Sequence, residues 1–163
     1  MKRTAILILG FTIAILATTG ASAKGSSESI PTMKQIEKLM NKLSMANHPA
    51  RVAAPAGMKQ LAKRVTRESF GDDGTVVYGN NAKVTINRNG IVKATATGSH
   101  AWYFVYSFAT DHWFSIAFRS ESDRDAFWEQ FEQTDYYDTS WGLSDSDYLF
   151  TENGWYGINL EPH

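Results

Sequence analysis

The sequence predicts an α+β fold: an antiparallel sheet of about five to seven strands, with two N-terminal helices and one later helix packed on it as a two-layer sandwich. Three observations carry this expectation. Apolar residues before residue 66 recur at helical spacing, the period drops to two from Gly71 onward, and a single helical window interrupts the strands near residue 120.

The first helix is expected over about 33–46. Thr32 can cap it with Gln35 three residues on, and Met33, Ile36, Met40 and Leu43 form its apolar stripe. Asn47-His48-Pro49 ends it, because the residue before a proline is pushed out of the α region. After an Ala/Pro linker, Met58, Leu61, Ala62 and Val65 predict a second, shorter helix with Lys59, Lys63, Arg64 and Arg67 on its wet side. A first strand follows at 76–78. Residues 83–87 and 91–95 form a hairpin, and a three-residue loop with Gly90 left-handed places Ile86 opposite Val92 and Val84 opposite Ala94 on one apolar face. Residues 101–108 and 113–119 form the next hairpin. With Phe108 opposite Trp113, Tyr103, Val105 and Ser107 share a face with Phe114, Ile116 and Phe118, while Trp102, Phe104, Tyr106 and Phe108 line the other. Ser120 or Ser122 caps a third helix running to about Gln133, with Asp123 and Asp125 near its positive end and Ala126, Phe127 and Phe131 as its buried stripe. A last hairpin joins 148–151 to 155–160 through Glu152-Asn153-Gly154, a turn like the one at Gly90. The expected core is Tyr103, Val105, Phe114, Ile116 and Phe118 with Phe127, Phe131, Ile36 and Leu43.

The N-terminus concerns location. Lys2 and Arg3 precede an uncharged apolar run over 5–17 and the small residues Ala21-Ser22-Ala23. A positive, then apolar, then small-residue stretch is the pattern of an export signal, so residues 1–23 are expected to be removed before Lys24. The apolar run is shorter than the ~20 residues a membrane-crossing helix needs. The mature chain is therefore expected outside the cytoplasm, periplasmic or secreted, and not as an integral membrane protein. Residues 24–31 are expected to form a disordered arm and 32–163 a single domain. The chain has no cysteine, so apolar burial must hold the fold, and thiol nucleophiles and Cys-based zinc sites are excluded.

Charge divides along the chain. Residues 24–67 hold nine Lys/Arg against two Glu, whereas residues 68–163 hold five Lys/Arg against fifteen Asp/Glu. Basic elements lying beside an acidic sheet account for this, as does contact with an anionic partner; nucleic acid is not expected, because no signature for it is visible. Catalytic motifs are absent: there is no Gly-x-Ser-x-Gly, His48, His100, His112 and His163 are scattered, and the Asp145 segment lacks the Gly and Glu positions of a calcium loop. No metal or cofactor is expected.

The aromatic residues are the stronger signal. The strip from Trp102 to Trp113 reads as core covered by helices, or as a binding face. The segment Asp135–Trp141 reads as a surface loop in which Tyr136, Tyr137 and Trp141 offer large rigid contact area and Asp135 and Asp138 offer acceptors; its competing role is to close the core edge. These five residues are the expected ligand-binding set. The expected function is an exported, non-catalytic binding module for a protein or polymer ligand. The alternative is a small hydrolase acting on carbohydrate with paired carboxylates from residues 111–152.

Overall fold

The computed structural model describes residues 29–65, 74–108, 112–138 and 142–161. The expected export signal, most of the arm that follows it, and Trp141 lie outside the described residues.

The elements in chain order are α1 (Met33–Met45), a short 3-10 helix (Pro49–Arg51), β1 (Lys59–Val65), β2 (Gly74–Asn80), β3 (Ala82–Ile86), β4 (Val92–Ala96), β5 (Trp102–Ser107), β6 (Trp113–Phe118), α2 (Glu121–Phe131), α3 (Asp145–Tyr148), β7 (Leu149–Glu152) and β8 (Trp155–Leu160). Six strands form one antiparallel sheet in the order β1-β2-β5-β6-β8-β7, and β3 with β4 forms a separate two-stranded sheet. The fold is α+β. No helix among the described residues is long and apolar enough to cross a membrane.

Local chemistry explains where α1 begins. The Thr32 hydroxyl accepts from the Gln35 N–H, and the Gln35 side chain accepts in return from the Thr32 N–H at 2.8 Å. Such a cap contributes about 1 kcal/mol. Met33, Ile36, Leu39, Met40 and Leu43 are then buried as one stripe.

The second expected helix is a strand. Met58, Leu61, Ala62 and Val65 fit helical spacing, yet residues 59–65 pair antiparallel with β2 along the sheet edge. The register shifts between Gln60 and Ala62, and this bulge breaks the two-residue alternation that would have marked a strand. The basic residues of this segment gain a different meaning: Lys59 and Lys63 are exposed on an edge strand, where lysine and a bulge discourage pairing with another chain.

The Gly90 hairpin has the expected register, Ile86 opposite Val92 and Val84 opposite Ala94, with Gly90 at φ 82°. The last hairpin turns differently. Glu152 pairs directly with Trp155, so Asn153 and Gly154 form a two-residue turn with both φ values positive, at 50° and 80°, and Tyr148 belongs to α3 rather than to the strand.

The central hairpin is one residue out of the expected register. Ser107 pairs with Trp113, Tyr106 with Phe114, Phe104 with Ile116 and Trp102 with Phe118. Both faces of this hairpin are apolar, so alternation alone does not penalise a slip. The consequence is that Trp102, Phe104, Tyr106 and Phe108 share a core with Phe114, Ile116, Phe118, the stripe of α1, and Phe127 and Phe131 of α2. Tyr103 and Val105, expected in that core, belong to a second cluster with Val77, Ala117 and Trp155.

This second cluster lies on the opposite face of the sheet. The β3–β4 hairpin covers part of it with Ala82, Val84, Ile86, Val92, Ala94 and Ala96, and Trp155 Nε1 donates to the Ala94 carbonyl at 3.2 Å. The sheet is thus packed on both faces, a layer the sequence did not announce.

In α2, Ser120 is the cap and accepts from the Asp123 N–H at 3.1 Å. The buried stripe is Asp123, Phe127 and Phe131, four residues apart, while Ala126 is exposed. Asp123 bonds His100 Nδ1 at 2.9 Å and so ties the start of α2 to the turn before β5.

Candidate functional site

The β3–β4 hairpin reaches across only part of its sheet face. Beside it runs a groove in two lobes, about 510 Å³ and about 310 Å³, which share Val92, Tyr103 and Glu152. One wall is the hairpin tip and the free side of β4, from Gly90 to Ala94; the other is Phe150, Thr151, Glu152 and Asn153; Tyr103, Val105, Ser115 and Asn159 lie between them. Trp113 and Ile91 stand at the larger lobe with 47% and 53% of their surface exposed.

Strand alternation explains this composition. Trp113, Ser115 and Ala117 point away from the helices because Phe114, Ile116 and Phe118 point toward them. Ser115 pairs with Asn159, and Ala117 with Gly157, across β6 and β8. At Gly157 a Cβ would come within 2.0 Å of the Phe150 ring, so the ring lies over backbone alone. A glycine therefore sets the depth of the groove beside Phe150. Tyr103 packs edge-on against Trp155 with ring centroids 4.9 Å apart. Burial first, and the Glu152 carboxylate second, push its hydroxyl up to about 12.

The segment Asp135–Trp141 is placed differently. Tyr136 and Tyr137 are half-buried and pack against the helix-face core. The Tyr137 ring joins Trp128, Phe131 and Tyr148 in a cluster with centroid separations of 5.2 to 5.8 Å from Tyr137. Its hydroxyl donates to the Asp145 carboxylate. The Tyr148 hydroxyl donates to the Asp138 carbonyl at 3.0 Å and accepts from the Asp138 N–H at 3.3 Å. Asp135 is exposed and Asp138 half-buried. Burial, with the charges of Glu37 and Asp135, raises the Tyr136 hydroxyl above its ordinary value.

The hydrogen bond to Asp145 holds Tyr137 protonated and pushes it up to about 12. A tyrosine whose folded value is raised stabilises the fold fully below its ordinary value near 10, and that contribution is lost as pH rises through about 12. In a titration followed by phenolate absorbance, Tyr103 and Tyr137 are expected to ionise last. Tyr137→Phe should remove one late-titrating group and reduce the stability lost between about pH 10 and 12. An unchanged late phase in Tyr137→Phe would contradict the bond to Asp145.

Two of the described histidines are held by neighbouring side chains. His100 is engaged by Asp123, while Ser120 and Ser122 bond each other through their hydroxyls at 2.8 Å. His112 Nδ1 lies 2.6 Å from the buried Tyr106 hydroxyl, closing the end of the central hairpin. Of the residues lining the groove, Glu152 is the carboxylate.

Trp113, Tyr103, Phe150 and Glu152 were not singled out together by sequence, because the β5–β6 hairpin that carries the first two is separated from β7 by about thirty residues of chain and α2. An exposed Trp opening a strand was the available signal. No protein-family model, curated protein or solved structure matches this chain.

Proposed function

We propose that this chain is a non-catalytic binding module acting outside the cytoplasm, and that it takes a protein or polymer ligand in the groove between the β3–β4 hairpin and β6, β7 and β8. The carrying observation is the partly covered sheet face: an exposed Trp113 and Ile91 beside an elongated groove whose lining mixes aromatic rings with Ser115, Asn159, Thr151 and Glu152. Exposed aromatics with polar neighbours supply contact area and orientation together. The export pattern of residues 1–23 supports the location.

The segment Asp135–Trp141 is the competing surface, which a site in the groove does not need. Tyr137 contributes its ring to the core edge and its hydroxyl to Asp145, so among the described residues there Tyr136 and Asp135 are the ones with most to offer a partner.

The test is to obstruct the groove at an exposed position. Asn159→Arg places a long side chain against Ser115 and Trp113 without burying a new charge. Capture of the ligand from envelope extract should fall by an order of magnitude or more, since a blocked groove costs most of the contact area. Undiminished capture would rule the groove out.

A further inference from the structure

We propose that the ligand of this groove is an extended polypeptide segment, added as a strand along the free side of β4. The inference rests on the groove being the binding site and names its occupant.

The hydrogen bonds of the β3–β4 ladder fix which backbone groups of β4 point away from β3. Asn87 N–H donates to the Ile91 carbonyl at 3.0 Å, and Gly90 N–H donates to the Asn87 carbonyl at 3.0 Å, so 87 and 91 are a bonded pair. The register then makes Thr85 with Lys93, and Lys83 with Thr95, the next bonded pairs. The residues between them, Val92, Ala94 and Ala96, turn their N–H and C=O groups away from β3. Trp155 Nε1 reaches the Ala94 carbonyl from that side and fixes its direction. Among the described residues, the Ala94 N–H and both backbone groups of Val92 therefore have no strand to pair with on the groove side.

A row of backbone donors and acceptors at strand spacing is complementary to another extended backbone. A sugar chain offers no amide row, whereas a peptide laid beside β4 pairs with it and sends every second side chain toward Tyr103, Val105 and Ser115. Glu152 faces the same groove and makes no ion pair among the described residues. Lys93 is exposed on the outer face of β4, so the occupant that fits is an extended segment whose groove-facing side chains are apolar with a basic one at Glu152, and whose outward side chains are uncharged.

The experiment uses the full chain, isotope-labelled, observed through its tryptophan indole N–H signals. The probes are a capped peptide about seven residues long with valines and one lysine at the groove-facing positions and threonines between them, the same peptide N-methylated at alternate amides, and a β-1,4-linked glucose oligomer. The proposal expects the first peptide to shift the Trp113 and Trp155 signals, and the N-methylated peptide to bind about tenfold or more weakly through its lost backbone bonds. Ala94→Pro removes a donor that faces away from β3, a position where proline is tolerated, and should weaken the first peptide similarly. If that variant fails to fold, the N-methylated peptide still decides on the unaltered protein. Equal binding of both peptides, or binding of the oligosaccharide alone, overturns strand addition and leaves the groove as a site of another kind. Shifts from no probe at millimolar concentration overturn strand addition, and capture that survives Asn159→Arg removes the groove itself.

Discussion

Phe118→Ala should lower the stability of the fold by about 3–5 kcal/mol and the thermal midpoint by roughly 10 °C or more. Phe118 is fully buried, pairs with Trp102 on β5, and packs against Phe127 of α2 with ring centroids 5.4 Å apart. Deleting its ring removes the transfer free energy of burial and leaves a cavity between sheet and helix that rigid aromatic neighbours fill poorly. Total stability for a domain of this kind is about 5–15 kcal/mol, so the loss is a large share of it. Chemical denaturation followed by circular dichroism measures it. A change under about 1 kcal/mol would mean that α2 does not cover this face.

Gly79→Ala should be as damaging for a different reason. A Cβ at Gly79 would lie 2.3 Å from the Trp102 carbonyl oxygen and 2.9 Å from the Tyr103 Cα, both backbone atoms of the neighbouring strand. Side chains rotate aside, whereas a paired backbone moves only by breaking its ladder. The β2–β5 pairing lies inside the sheet and places Tyr78 in the helix-side core and Val77 in the cluster on the opposite face. The cost is expected at the upper end of the ~1–3 kcal/mol typical of overpacking, or beyond it. The measurement is again the denaturation midpoint, with hydrogen exchange of β2 amides as the local readout. Wild-type stability would contradict the close approach of β2 and β5.

How much of this was legible in sequence depended on whether one physical constraint acted alone. At Thr32 and Gln35 a local capping box sufficed, and at Gly90 only one loop length put Ile86, Val84, Val92 and Ala94 on one face, so both were readable. At residues 58–65 two periodicities competed, and a bulge at Leu61 erased the strand signal. In the central hairpin both faces are buried, so hydrophobicity gave no penalty for a slip of one residue, and the core assignment of Tyr103 and Val105 failed with it. The groove was illegible for a third reason. Ile91, Tyr103, Trp113, Phe150 and Glu152 meet only because the β3–β4 hairpin folds over the face of a sheet whose strand order is not sequential. At Tyr137 the sequence left two roles open, and the ring takes the one at the core edge through its contacts with Phe131 and Tyr148.

The central claim, that the groove beside β4 holds the ligand, is tested most directly by measuring capture and thermal midpoint on the same preparations of wild type, Asn159→Arg and Tyr136→Ala. Asn159 is exposed within the groove, and Tyr136 lies on the segment at the opposite face, so each variant burdens one surface only. The account predicts that Asn159→Arg loses capture by an order of magnitude or more with its midpoint within about 2 °C of wild type, while Tyr136→Ala keeps capture. Full capture by Asn159→Arg, together with lost capture by a stably folded Tyr136→Ala, would contradict it and move the site to Asp135–Trp141.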